Sequence, residues 1–476
     1  MMSGTISRRR LLEFVGLAIA GAACTPAAPA PATPAPAAPA AAPTSAPAAA
    51  AKPTTAAAPA AAAAPTTAPA AAPTTAPAAK PAGGLIVTLK VAHVTTAQKV
   101  WEDAWAGIWA SFEARNPGIK LEVENLPFAG YQEKMLTSLA GGSDYDIMYG
   151  WEPWLTTFAE KSVILPLDDY LAKDKDLILD DFYPAAIEKW KGQTYGLGWF
   201  ISGYETWLNA HLLKGGDTDP RALEKDGKWT WDALQDLARK LSKGDGANRI
   251  YGYMHTINTQ GMSTPIWSAG ADFWDADGKK SMVNTPEFVD ALQQQIDMTL
   301  KDKSTPLPAD AAAQNGPGFV NKRVASLLTG PHFSRAVDEA TDKVNITQVA
   351  VPKGKGGRQA LALVNSFYLT SVGKNRDQAW LLYKHLLSPE TQKAVVPLGG
   401  GRFPAFKAAT PQTAFPWEDA DVYKATAAIM RRPWTVARQA EFEKSWGTAV
   451  EEILTGQKST KQAMDDLAKL ANGLSA

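Results

Sequence analysis

Cysteine is all but missing from this 476-residue chain: the single one, Cys24, stands near the N-terminus. No intrachain disulfide can form, so an exported fold would have to be held by burial and hydrogen bonds alone. A cysteine-containing zinc site is excluded from the rest of the chain on the same ground. Net charge is missing too, with 48 basic and 48 acidic side chains. Setting aside Arg8, Arg9, Arg10, Lys52, Lys80 and Glu13 leaves 43 basic and 47 acidic groups in the remainder. That balance argues against a nucleic-acid binder, which needs a clustered positive surface to replace phosphate counterions. The five histidines, at 93, 211, 255, 332 and 385, show no i, i+4 ligand spacing. Asp272, Asp275 and Asp277 miss the spacing of a calcium loop, and Asp277-Gly278 is predicted as a β-turn. Gly354 and Gly356-Gly357 lack a phosphate-loop Lys-Ser/Thr and are predicted as an exposed turn, and no Gly-x-Ser-x-Gly elbow occurs. Neither a metal nor a cofactor is expected.

What is present falls into three segments. Residues 1–23 read as a signal peptide. Ser7-Arg8-Arg9-Arg10 forms a charged start with a twin arginine, and Phe14–Ala20 is an apolar run too short to span a bilayer, which takes about 20 residues. Gly21-Ala22-Ala23-Cys24 resembles a lipoprotein processing site, with Gly21 where an aliphatic residue is usual. The alternatives are a lipidated Cys24 at the mature N-terminus or an ordinary cleaved signal. The twin arginine points to export in the folded state, and a plain basic start would carry the same letters. Residues 24–83 are Cys24 followed by almost pure Ala, Pro and Thr, which bury too little apolar surface to offset chain entropy. Such a segment favours extended polyproline II and would reach on the order of 180 Å when fully extended. It is read as a disordered tether that holds a folded head away from a membrane, with Thr-Pro richness that permits O-glycosylation.

From Leu85 strand and helix signals alternate, which predicts an α/β architecture over roughly 390 residues, too long for one core. Leu85–Ala92 is apolar and β-rich; Val100, Ala104, Ile108, Trp109 and Phe112 then recur at helical spacing. Asn116-Pro117-Gly118 stops that helix, with Gly118 predicted as a left-handed cap. Ile119–Glu124 alternates strictly as a second strand. Tyr131–Ala140 is a second helix, and Tyr145–Tyr149 a third strand.

This order, continued through Leu165–Leu171, Asp181–Pro184, Gly192–Leu197, Trp207–Leu212, Trp229–Asp232, Asn321–Ala325, Gly330-Pro331-His332, Val351–Gly357 and Ser388–Gln392, resembles the family-1 extracellular solute-binding proteins. Those are the maltose-binding-protein-like receptors of ABC sugar importers. The resemblance implies a type II periplasmic-binding-protein fold: two α/β lobes, a ligand cleft between them and three hinge crossings, placed near 203, 324 and 370. One lobe would hold 84–203 with 324–369, and the other 204–323 with 370–476. It further implies an ABC permease as membrane partner, and the chain is taken as a monomer.

All 16 tryptophans follow residue 100. An aromatic ring covers the apolar face of a sugar while amides, hydroxyls and carboxylates satisfy its rim. Trp105, Trp109, Trp190, Trp380 and Trp446 sit at amphipathic helix spacing and read as core; Trp229 and Trp231 flank a helix start. Candidates for the cleft follow predicted strands, where loops converge: Trp151 with Glu152, Trp199 with Phe200, and Trp267 with Trp274. Polar candidates are Glu152, Asn365, Ser366, Arg402 and His332. His332 stands where the resemblance has tryptophan, a departure that bears on ligand choice; Asn365 reads equally as a turn residue.

Three functions remain open. The first is an exported, membrane-anchored receptor for a carbohydrate, closing on its ligand by hinge motion. The second is an exported glycoside hydrolase, which requires two carboxylates about 5–9 Å apart. The third is a receptor for a polyamine or other small polar solute, which would want several cleft carboxylates.

Overall fold

The computed structural model describes residues 86–475 apart from 96–97, 214–218, 341–344, 396–397, 399–402, 404 and 408–412. The expected signal peptide, Cys24, the Ala-Pro-Thr segment and Arg402 lie outside the described residues.

The first strand signals become β1 (Val87–Thr95), β2 (Ile119–Pro127) and β3 (Ile147–Trp151). β1 pairs in parallel with both, so all three strands run toward one edge of the sheet. Helix Lys99–Arg115 buries Trp105, Ile108 and Phe112, a 3.6-residue stripe. Its end differs from expectation. Gly118 has no left-handed backbone; instead the Asn116 side-chain amide donates to the Phe112 carbonyl at 2.9 Å. Helix Tyr131–Ala140 likewise buries Tyr131, Met135 and Leu139.

β4 (Ile187–Trp190) and β5 (Gln193–Leu197) form a hairpin, and β6 (Phe200–Gly203) leads directly into β7 (Glu205–Asn209). β7 starts a second, antiparallel sheet in the order β8 (Ser326–Thr329), β7, β9 (Ile346–Val349). β10 (Ala360–Leu369) returns to the first sheet, antiparallel to β3 and β6, and takes the short β11 (Met430–Arg431) in parallel at its other end.

Two bodies of buried side chains follow from this order. One centres on β1, β3 and β10 and includes helix Arg376–Leu387. The other joins helices Thr259–Ser268, Pro286–Leu300, Gln439–Leu454 and Thr460–Ser475, next to the second sheet and its own cores. The strand pairings correct the expected division of the chain. Ser326–Thr329 and Ile346–Val349 lie beside β7 in the second lobe, because β8 and β9 are the edges of its sheet. Residues 376–395 pack on the first lobe, where the His385 ring meets the Ile108 carbonyl at 3.2 Å and Glu390 meets Ser111 and Arg115. The crossings therefore fall at 203–205, within β10, and between Ala427 in the first core and Val436 in the second. The Asn321–Ala325 motif feeds an edge strand rather than a hinge.

Both expected turns form. Gly278 has φ +67° and its amide bonds to Asp275. The turn at 354–357 closes through Gly354 N–H to Gly357 O at 2.9 Å, with Lys355 and Gly356 exposed and Gly354 half-buried. A Cβ on Gly354 would lie 2.1 Å from the Ser268 carbonyl oxygen.

Candidate functional site between the lobes

The three parallel strands deliver their last residues to one edge, where loops of an α/β sheet converge. β3 ends at Trp151 and turns tightly through Glu152-Pro153-Trp154. Phe128, just past β2, lies 5.1 Å from both the Trp151 and Trp154 rings, and Trp154 stacks on Tyr131 at 5.3 Å. Buried rings thus back two accessible ones: Phe128 is 40% exposed and Trp151 half-buried.

Register fixes the polar residues beside them. Asn365 of β10 pairs with Trp151, and Ser366 with Gly150. The Tyr149 hydroxyl donates to the Asn365 side-chain oxygen, which holds that amide in place. Gly150 is required here, since a Cβ would sit 2.5 Å from the Tyr368 ring. Tyr368 in turn donates to Glu188 of β4 at 3.2 Å. Glu188 is wholly buried, and burial pushes its carboxyl up to about 7, with Arg432 opposing. Glu152 is 5% exposed, and its Oε2 has no hydrogen-bond partner among the described residues. Burial pushes it up to about 8, the Arg432 guanidinium pulls it down, and Glu188 and Glu443 push it further up.

The facing wall comes from helices and a turn of the second lobe. Asn258 caps helix Thr259–Ser268 through the Gly261 amide, placing Thr259 and Gln260 at its start. The Thr259 hydroxyl donates to the two Glu443 oxygens at 2.7 and 2.6 Å, and Gln439 Nε2 donates to Glu443 Oε1 at 2.9 Å. Trp434 is held from behind by Asp272, which accepts its Nε1–H at 2.7 Å and that of Trp267 at 3.0 Å. Arg431 completes the hub, paired with Asp272 and lying over the Trp267 ring at 4.6 Å.

The two walls meet at a cavity of about 20 Å³ lined by Glu152, Pro153 and Thr156 on one side and Gln260, Trp434, Gln439 and Glu443 on the other. That is space for about one water. A solute can enter only when the lobes part.

Of the sequence candidates, Glu152 lines this seam, and Trp151, Asn365 and Ser366 stand beside it. The structure does not bring the other described candidates to the cavity. Trp199 is 1% exposed and meets Trp105 edge-on at 4.9 Å in the first core; Phe200 leans on it at 5.6 Å. Trp267 is a buried support for Trp434, and Trp274 packs on Phe442 at 5.2 Å in the second core. His332 lies beside the first crossing, 3.2 Å from Ser202 Oγ, with burial lowering its ring to about 4. Sequence reasoning missed Phe128, Glu188, Trp434, Gln439 and Glu443. Trp434 alone carried a usable signal, standing in Arg-Arg-Pro-Trp-Thr outside any helical stripe.

Known proteins agree with this architecture. A protein of Brucella abortus (strain 2308) named as a binding protein is 26% identical over 293 residues, 59% of this chain and 67% of that one. An ABC substrate-binding protein of Listeria monocytogenes, solved with cycloalternan, superposes with a TM-score of 0.69 at 21% identity, covering 81% of this chain and 98% of that one. The GacH receptor of Streptomyces glaucescens, solved unliganded and with acarbose, gives 0.67 at 19% identity, covering 82% and 98%. Their fold is the two-lobe periplasmic-binding-protein fold that the cores and crossings describe. The family model of the bacterial extracellular solute-binding proteins matches residues 90–393, well over half of the chain, and the chain belongs to that family.

Proposed function

We propose that this protein is the substrate-binding subunit of an ABC importer and closes on a carbohydrate between its lobes. The observation that carries the reading is the seam itself. Half-buried aromatic rings, Trp151 and Trp434, stand on its two sides next to buried polar groups that lack partners among the described residues, including Glu152 Oε2 and Arg432 Nη1. A hydroxyl both donates and accepts, so a polyol satisfies both kinds of group while its C–H face covers a ring. The Listeria and Streptomyces structures were solved with saccharide ligands, which supports the same class.

Ligand that binds only the closed form stabilises it by its differential affinity, and the closed pair of lobes is the signal a permease reads. Catalysis is not part of this reading. The chain's family is one of solute-binding proteins, which supports binding without turnover. Residues 1–23 then serve as an export signal of the twin-arginine type, Cys24 as a lipid anchor and 25–83 as the tether of a monomeric head outside the cell membrane.

The test is a thermal-shift and calorimetric screen of mono- and oligosaccharides, with polyamines and peptides alongside. A saccharide that raises the melting temperature without releasing reducing ends supports the reading. Release of reducing ends would make the protein a hydrolase; a response to polyamines or peptides alone would overturn the carbohydrate assignment.

A further inference from the structure

The seam between the lobes is rich in acceptors and poor in positive charge. Glu152 and Glu443 line it from opposite sides, Glu188 lies behind Glu152, and among the described residues Arg432 is the cation that acts on both Glu152 and Glu188. Gln439 spends its amide N–H on Glu443, which leaves its buried Oε1 as an acceptor without a partner. Glu152 Oε2 is a second such acceptor on a side chain that is itself 5% exposed. Closing the lobes over these groups takes more negative than positive charge out of water, which is costly unless something positive or a proton joins them.

A neutral polyol supplies hydrogen bonds but leaves that charge uncompensated. An ammonium group supplies three donors and one positive charge, and the flanking indole of Trp434 offers it a favourable ring face. We propose that the saccharide this cleft takes carries a protonated amine, held between the carboxylates of Glu152 and Glu443 and the side-chain oxygen of Gln439. The inference rests on the carbohydrate reading and narrows it to aminated sugars. Glu188 and Glu443 lie far from Glu152 in the chain, and only the fold collects the several carboxylates that a cationic ligand wants.

Binding an ammonium there draws protons off the seam. The charged and titratable groups facing Glu152 are Arg432, Glu188, Glu443 and Tyr368. Arg432 is already positive, so released protons come from the carboxyls that burial has kept protonated.

The experiment is titration calorimetry of the full chain at pH 7 in two buffers of different ionisation enthalpy. The probes are glucosamine oligomers, the same oligomers N-acetylated, maltotriose and spermidine. We expect the free-amine oligomers to bind at least about tenfold tighter than their acetylated counterparts, a gap of about 1.4 kcal/mol, with protons released on binding. Glu152→Gln should shrink that ratio, and Gln439→Leu provides a second variant should the first fail to fold. The ratio in the unaltered protein needs no variant at all. Equal or tighter binding of acetylated or neutral sugars would overturn the ammonium assignment and leave the carbohydrate reading standing. Response to spermidine with no saccharide binding of either kind would overturn both.

Discussion

Two groups of aromatic rings in this molecule have the same composition and opposite uses. In the first lobe, Trp105, Trp109, Phe367 and Tyr149 surround the buried His93, with Trp105 and His93 only 4.3 Å apart, and Trp199 meets Trp105 edge-on. Around the seam, Phe128, Trp151 and Trp434 each keep part of a ring accessible and are backed by Trp154, Tyr131 and Trp267. In the first group every ring meets at least three others, and all but Trp109 are buried. The second is open on the side that faces the other lobe. Ring identity says nothing about which is which; what decides it is whether the strand or helix carrying the ring ends at the seam.

Substitutions should separate the two groups, and the largest effect belongs to the closed one. Trp199→Ala removes a fully buried ring and should cost about 3–5 kcal/mol of stability, read as an earlier denaturant midpoint. Ligand affinity per folded molecule should hold. If Trp199→Ala left stability unchanged and abolished binding, the division between the groups would collapse. The open group should behave in reverse. Trp434→Ala should weaken the ligand about 10- to 100-fold, or about 1.4–2.8 kcal/mol, with an unaltered melting temperature in the unliganded protein.

This division was half legible in the sequence. Helix Tyr131–Ala140 and the helix start at Trp231 came directly from periodicity and turn chemistry, while the third strand, expected at Tyr145–Tyr149, runs Ile147–Trp151. Glu152 was reachable because it follows a strand by one residue. Trp199 was misplaced by the same logic. It too follows a strand, β5, but the chain there turns inward, and Gln392 Nε2 donates to its carbonyl at 2.6 Å from the helix that covers it. Glu443 and Gln439 sit on the polar side of a long C-terminal helix, where an acidic residue reads as solvated surface until the second lobe swings it against the first. The lobe boundaries failed for a related reason. β10 is one unbroken ten-residue strand that passes from lobe to lobe, and nothing in a continuous apolar run marks a border.

Asp272 offers a finer cut within the open group, because it touches the seam only through Trp434. Asp272→Asn keeps the size of the side chain and one acceptor for the indole N–H groups, but loses the charge that pairs with Arg431. Ligand binding should weaken about three- to tenfold, roughly 0.7–1.4 kcal/mol. The loss should come as faster dissociation, since a looser Trp434 lets the closed state reopen. An effect as large as that of Trp434→Ala would mean that Asp272 meets the ligand itself.

The smallest effect concerns the seam without any ligand, and its sign is fixed by Glu152. Burial raises that carboxyl from 4.5 to about 8, and Glu188 moves the same way to about 7. A group whose proton is held more tightly when buried stabilises the buried arrangement below its ordinary range and loses that contribution as pH rises through the raised value. Closure should therefore be fullest near pH 4.5 and weaken progressively toward pH 8. Arg432 offsets part of this by favouring the charged forms, while Glu443 adds to it. The charge can be relieved by parting the lobes, which is cheaper than unfolding either core. Melting temperature should accordingly change little across this window, while the radius of gyration in small-angle scattering rises. Glu152→Gln should flatten that rise, because Glu188 stays buried within the first lobe whether the lobes are closed or parted. A radius that stays constant from pH 4.5 to 9 would mean that the seam tolerates a buried carboxylate, and that Arg432 alone compensates it.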